Sequence, residues 1–160
     1  MVVDGWTILG HPLLLDQLGR LTSAVEAAKA ADPEDYRSTA RAKLLAMLRK
    51  LLFETIPADP TRKEYRQAHT PGKARKHWFR VKFGNGRFRL FFRFDSKTKI
   101  VIFAWVNDGN TLGTYGSRTD AYSVFKGMLD KGNPPDDWEA LHAAASAEPV
   151  VKRLDEAKPK

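Results

Sequence analysis

The sequence contains no cysteine, which excludes disulfides, thiolate nucleophiles and thiolate metal sites, and suits a reducing compartment. Histidine is scarce: His11, His69, His77 and His142 lie far apart, without ligand spacing between them. Carboxylates are missing where cations are densest. Residues 61–100 hold 13 Lys or Arg against Glu64 and Asp95 alone, within a chain of net charge +8. No acidic cluster of the two-metal kind is present. There is no GxxxxGK phosphate loop, and no serine sits in a hydrolase elbow. Long apolar runs are absent too. The longest, Ile100–Val106, is far short of the ~18–20 residues that span a bilayer. Residues 1–20 carry Asp4 and Asp16 and no signal-peptide pattern. These absences leave a cytoplasmic protein without a metal site, an expected cofactor or a membrane association.

What is present is concentrated in residues 78–106, where two turns cut the chain into three runs of strand length. In the middle run Phe88, Leu90, Phe92 and Phe94 point one way, and Arg87, Arg89, Phe91 and Arg93 the other. In the first run Trp78, Arg80 and Lys82 alternate with Phe79, Val81 and Phe83. One face requires a core. The other is expected to be an exposed comb of cations with aromatics between them, suited to a polyanion. Gly84-Asn85-Gly86 predicts a hairpin. The third run is apolar on both faces and predicts a covered strand. Together the runs predict an antiparallel meander.

Around this sheet the pattern predicts helices. Gly5–Leu9 reads as a short strand of undetermined partner. Leu14, Leu18, Leu21 and Val25 predict a helix from Pro12 to about Ala30. Asp32-Pro33-Glu34 reads as the start of a second, running to about Thr55 and ended by Pro57 and Pro60. The basic connection 57–77 is either a solvated loop or a flap that meets phosphates. Asp120 is expected to cap a helix from Ala121 to about Lys131, and Asp136 a short segment with Trp138 and Leu141. Residues 1–145 are expected to form one domain, and 146–160 a flexible tail.

The chemistry left open is cationic and phenolic. Arg or Lys can stabilise charge on the non-bridging oxygens while the 2′-OH of RNA attacks phosphorus. One group must take the 2′ proton and another protonate the 5′ oxygen. His77 starts near a suitable pKa of ~6.5, and dense cations favour a Tyr phenolate and a neutral Lys. Tyr115 and Tyr122 are the candidate phenols; Tyr122 shares a helix stripe with Phe125, so core packing is its other reading. Arg80 and Arg89 are candidate catalytic cations, and Lys82, Arg87, Arg93, Lys76 and His77 candidate RNA contacts. Trp78 and Phe91 either stack on bases or join the core.

The segments WFRVKFGNGRFRLFFRF, IVIFAWVNDGNTLGTYGSRTDAYSVFKGML and GNPPDDW, with Gly5-Trp6 and Asp32–Glu34, closely resemble the YhaV family of bacterial toxins, within the wider RelE/ParE superfamily. The resemblance implies an α+β fold with two N-terminal helices packed on a twisted antiparallel sheet, followed by C-terminal helices. It implies a metal-free endoribonuclease acting on mRNA, free or on the ribosome, and a PrlF-type antitoxin with an AbrB-like domain. The superfamily's strand pattern Tyr-Arg-Leu-(Ile/Phe)-Tyr corresponds to Phe88–Phe92, which singles out Arg89. Its late tyrosine corresponds to Tyr122, or less directly Tyr115, and its second arginine lies near Arg118. Phe88 stands in place of the usual tyrosine, and Gly113 where relatives are expected to carry arginine. A non-catalytic RNA- or ribosome-binding inhibitor and a gyrase-targeting relative are the competing readings. The positive charge further predicts that an acidic antitoxin segment covers the RNA face.

Overall fold

The structure, a computed structural model, describes residues 1–66, 75, 77–107 and 120–159. Five strands form one sheet in the order β1-β2-β5-β4-β3. They are β1 (Val2–Val3), β2 (Trp6–Gly10), β3 (Phe79–Phe83), β4 (Phe88–Asp95) and β5 (Ile100–Val106). β3, β4 and β5 make the expected antiparallel meander. The sheet as a whole is mixed rather than antiparallel, because β2 pairs parallel to β5, with Ile8 opposite Val101 and Leu9 opposite Ile102. The turn between β3 and β4 has positive φ at Gly84, Asn85 and Gly86, closed by Arg87 N–H to Gly84 C=O at 3.2 Å. Two successive left-handed central residues match the right-handed twist of the flanking strands, which is why Asn-Gly occupies this position.

Helix α1 (Pro12–Ala31) begins where expected. Pro12 fits the first turn, and His11 Nδ1 accepts the N–H of Leu13 at 3.1 Å. Burial pushes the His11 imidazole below its usual range, against the opposing charge of Asp16. The second helix starts later than expected. Asp32 closes α1 instead of opening α2, its own carboxylate accepting the Asp35 N–H at 3.3 Å in a tight corner. Thr39 then caps α2 (Ala40–Lys50), accepting from Ala42 N–H. A wider π-type stretch, Leu51–Thr55, leads into α3 (Ile56–Ala58), so Pro57 lies inside the last turn.

β4 and β5 are buried on both sides. On one side Leu90, Phe92, Val101 and Phe103 meet Leu14, Leu18, Leu45, Leu48 and Leu52 of the helical hairpin. On the other, Phe91, Ile102, Ala104 and Trp105 meet α4 (Ala121–Asp130) and α5 (Trp138–Ser146) through Tyr122, Phe125, Leu129 and Leu141. The register shifts opposite Phe91 and Phe92, and Ala104 and Trp105 both fall in this second cluster, as an extra residue on a bulged strand requires. The side expected to stand open as a cationic comb is therefore roofed by aromatic helix faces.

The C-terminal residues also differ from expectation. Within 146–160, α6 (Glu148–Ala157) forms, with Leu154 buried in the first cluster and Arg153 paired to Asp16 at 2.7 Å. Asp137, not Asp136, caps α5. Among the described residues no helix is long and apolar enough to cross a membrane.

Candidate active site at the phenol of Tyr122

Strand register brings the first cations together. Lys82 on β3 is directly opposite Arg89 on β4, and Arg80 is opposite Phe91. Helix α4 then lays Tyr122 over them. Asp120 fixes the start of that helix by accepting the Tyr122 N–H at 3.0 Å, and the Tyr122 ring meets Phe91 edge-on at 5.7 Å. Both arginines converge on the phenol: Arg80 Nε donates to Tyr122 Oη at 2.9 Å, and Arg89 Nε donates to the same oxygen at 3.3 Å. The Arg89 guanidinium also lies 5.5 Å from the Tyr122 ring centroid.

The backbone holds both arginines in place. Arg80 Nη1 donates to the Glu64 carbonyl at 2.8 Å, and Arg89 Nη1 to the Gly86 carbonyl in the hairpin turn. Asn107, one residue beyond β5 and 2% exposed, clamps the same turn. Its Oδ1 accepts Arg89 N–H, its Nδ2 donates to the Arg87 carbonyl at 2.9 Å, and its own N–H donates to the Arg89 carbonyl at 3.2 Å. Asn107 escaped the sequence reading; the one signal for it was a lone amide directly after a wholly apolar strand. Among the described residues neither Arg80, Arg89, Lys82 nor Arg87 has a carboxylate partner. Lys82 and Arg87 are exposed, Arg80 is half-buried, and Arg89 and Tyr122 are 5% and 1% exposed.

Trp78, Phe91, Arg93 and His77, also expected to meet RNA, are engaged within the protein. Trp78 and Phe91 are wholly buried, so neither stacks on a base. Trp78 is the edge-on neighbour of Phe125, and Phe91 stacks on it at 4.3 Å. Arg93 lies 5.7 Å from the Trp78 ring and 5.2 Å from the Trp138 ring, and donates to the Asp136 carbonyl at 2.5 Å. Burial pushes its guanidinium below the usual range, opposed by Asp136 and Asp137. The Asp136 carboxylate accepts Trp78 Nε1–H at 2.7 Å, with His77 Nε2 at 2.9 Å from the same oxygen. Arg75 pairs with Asp130 at 2.8 Å and reaches Asp136 at 3.9 Å. Burial raises the Asp136 carboxyl, but hydrogen bonds from His77 and Trp78 and the charges of His77 and Arg75 outweigh it and hold it below the ordinary range. Tyr115, Arg118 and Lys76 lie outside the described residues, as does the turn expected at Thr70–Lys73. Among the described residues no three His, Asp or Glu side chains gather where they could hold a metal ion.

Fold and site together define a small mixed-sheet α+β protein in which two arginines of adjacent strands meet one buried phenol. The chain belongs to the YhaV family of RelE/ParE-like toxins: the family described as a toxin with endonuclease activity, of toxin-antitoxin system, matches residues 8–146. It is 47% identical over 140 residues to Toxin YhaV of Escherichia coli O6:H1 (strain CFT073), covering 87% of this chain and 91% of that protein. It is 46% identical, with the same coverage, to Ribonuclease toxin YhaV of Escherichia coli strain K12. No solved structure matches it significantly. Membership in a toxin–antitoxin family implies an antitoxin partner.

Proposed function

We propose that this toxin is a metal-independent endoribonuclease that cleaves mRNA, and that Arg80, Arg89 and Tyr122 form the described part of its active site. The observation that carries this reading is the convergence on one phenol oxygen of two guanidinium groups that have no carboxylate partner among the described residues. In the reaction the ribose 2′ oxygen bonds to the adjacent phosphorus and the bond from phosphorus to the 5′ oxygen breaks. The products are a 2′,3′-cyclic phosphate and a 5′-hydroxyl end. Negative charge on the non-bridging oxygens falls to the arginines, which backbone carbonyls hold in place, and to the exposed Lys82. The proton lost from the 2′-OH passes to Tyr122 Oη, whose phenolate form the two guanidinium donors stabilise, and a proton is returned to the departing 5′ oxygen. Arg118 and Tyr115 complete the site in this reading, and Lys76 and Arg87 hold neighbouring phosphates. The Ribonuclease toxin name of the K12 relative supports the same activity. The antitoxin is proposed to be PrlF-type, with an AbrB-like domain.

The burial of Arg89 and Tyr122 favours one second reading, in which the cluster is structural and the toxin only occupies RNA or the ribosome. One experiment separates the two: purified toxin with single-stranded RNA in EDTA, followed by end analysis. Cleavage with 2′,3′-cyclic phosphate ends is expected. A strict magnesium requirement, or 5′-phosphate ends throughout, overturns the metal-free mechanism. Arrest of translation with intact mRNA selects the second reading.

A further inference from the structure

Behind the hairpin turn, on the side of the sheet away from Tyr122, two cavities of about 840 and 480 Å³ join into one groove. Arg41, Leu44 and Phe88 line both. One bank is the α1–α2 hairpin, and the other is the turn 84–87 with the end of β5. The floor is apolar, with Leu21, Leu44, Met47 and Phe88 all open to it. Met47 is one of the few large apolar side chains that stand exposed among the described residues, at 36%. The rim is cationic. Arg20, Arg41, Lys43 and Arg87 line the groove, and among the described residues none of them is in an ion pair and no carboxylate lines it.

An aliphatic floor with a one-signed rim calls for an occupant that is apolar on one side and acidic on the other. RNA supplies the acid but not aliphatic side chains, and among the described residues the only aromatic in the groove is the half-buried Phe88. Leu44 and Met47 stand three apart on α2, and Leu21 and Ala24 three apart on α1, the spacing against which a peptide helix lays its own apolar stripe.

We propose that this groove seats an acidic amphipathic segment of the antitoxin. The partner's acidic side chains meet Arg20, Arg41, Lys43 and Arg87, and its apolar side chains meet the floor. The site differs from the RNA face, which the charge pattern alone had suggested as the covered surface, but the two touch. Arg87 and Asn107 line the groove, and the Asn107 side chain holds the backbone of Arg87 and Arg89. The turn that anchors Arg89 through the Gly86 carbonyl is thus the far bank of the groove. A seated segment bears on the turn that carries the arginine, so neutralisation does not require filling the RNA cleft. The proposal rests on membership in a toxin–antitoxin family and on the nuclease reading only for its consequence.

The test uses full-length toxin and the full-length antitoxin encoded with it. Calorimetry gives the affinity of wild type, Met47→Glu, and the charge reversal Arg41→Glu with Lys43→Glu. The same preparations are assayed for RNA cleavage, and their thermal unfolding is recorded. The expected result is antitoxin affinity at least about ten-fold weaker in each groove variant, with RNA cleavage kept. The charge-reversed residues are exposed, so that variant reads the proposal even where Met47→Glu does not fold. Unchanged affinity overturns it. Groove variants that lose single-stranded RNA binding assign the groove to RNA and overturn it. So do variants that convert a wild-type dimer to monomer in sedimentation while keeping antitoxin affinity, since the occupant is then a second copy of this chain. A wild type that leaves RNA intact while the groove variants lose antitoxin removes the nuclease reading and keeps the groove.

Discussion

Arg89 and Arg93 stand four residues apart on β4, on the same face of the sheet, each with its guanidinium over an aromatic ring. Their surroundings differ in one respect that decides what each can do. Arg93 is sandwiched by Trp78 and Trp138 and bonded to the Asp136 carbonyl, with Asp136 and Asp137 supplying negative charge nearby. Asp136 also gathers His77, Trp78 and Arg75, so this end of the face is neutralised internally. Arg89 shares a phenol oxygen with Arg80 and sits opposite Lys82, with no carboxylate among the described residues. A half-buried cation with carboxylates close by belongs to the architecture. Cations gathered without them are stabilised when an external anion arrives.

The comparison is broken most directly by exchanging one substitution between the two sites. Arg80→Ala and Arg89→Lys are expected to lower RNA cleavage by about 10²–10³-fold, the usual loss when one preorganised donor to a developing oxyanion is removed. Arg93→Lys should leave cleavage within a few-fold of wild type and lower the unfolding temperature instead, since it trades a planar group between two indoles for a point charge. Single-turnover cleavage and calorimetric unfolding of all three decide it. Equal loss of cleavage at Arg93 would mean the counter-charge does not separate structure from function here. Tyr122→Phe keeps the ring on Phe91 and removes only Oη. A changed pH–rate profile marks proton transfer, whereas an unchanged profile with a lower rate marks an orienting role for the arginines.

A smaller effect is expected at Asp136. Asp136→Ala removes the 2.7 Å hydrogen bond that the carboxylate accepts from the buried Trp78 Nε1–H, at about 1–3 kcal/mol. For a domain of this size that lowers the unfolding temperature by roughly 2–4 °C per kcal/mol, with cleavage retained. The pH dependence has a definite sign. Asp136 titrates below the ordinary carboxyl value of ~3.9 in the fold, so the stability it contributes is fully present above that value and is lost as pH falls through the folded one. Unfolding midpoints of wild type and Asp136→Asn should converge as pH drops below about 4. A constant gap between them would show that Asp136 does not carry this acid sensitivity.

What was legible in the sequence follows from what is local. The apolar spacing of α1, the Asn-Gly turn and the two-sided apolarity of β5 each report on residues close in the chain, and each is found where expected. Arg89 and Tyr122 were legible as site candidates through the motifs that carry them, and the fold brings them together. Partners distant in sequence were not legible. Nothing in residues 5–9 announces a parallel partner ninety residues on. The open comb was misread because its roof comes from α4 and α5, whose aromatic faces show as amphipathic without saying which side of the sheet they cover. Asp136 looked like a helix cap because a cap and a buried acceptor use the same residue type. α6 was hidden by its Ala, Glu and Lys content, although Val150, Val151 and Leu154 already stand on one side of a helical turn.

Lys82 gives the smallest effect and the finest test of the uncompensated cluster. It is exposed on the edge strand, directly across from Arg89, and holds no ion pair among the described residues. A surface cation of this kind contributes little to stability, so Lys82→Ala should leave unfolding within about 0.5 kcal/mol of wild type. If it meets a backbone phosphate, binding releases counterions, and removing it reduces the slope of log affinity against log salt by roughly 0.7 for single-stranded RNA. The loss should be uniform across RNA sequences, since a phosphate contact carries no base information. Lys99 is the control: it is also exposed, but lies 5.0 Å from the Trp6 ring on the opposite edge of the meander. Its replacement should leave the slope unchanged. Filter binding of a non-cleavable 2′-deoxy oligonucleotide between low and moderate salt measures both. An equal change in slope at Lys82 and Lys99 would show that diffuse charge, rather than the cluster around Arg89, sets the affinity for RNA.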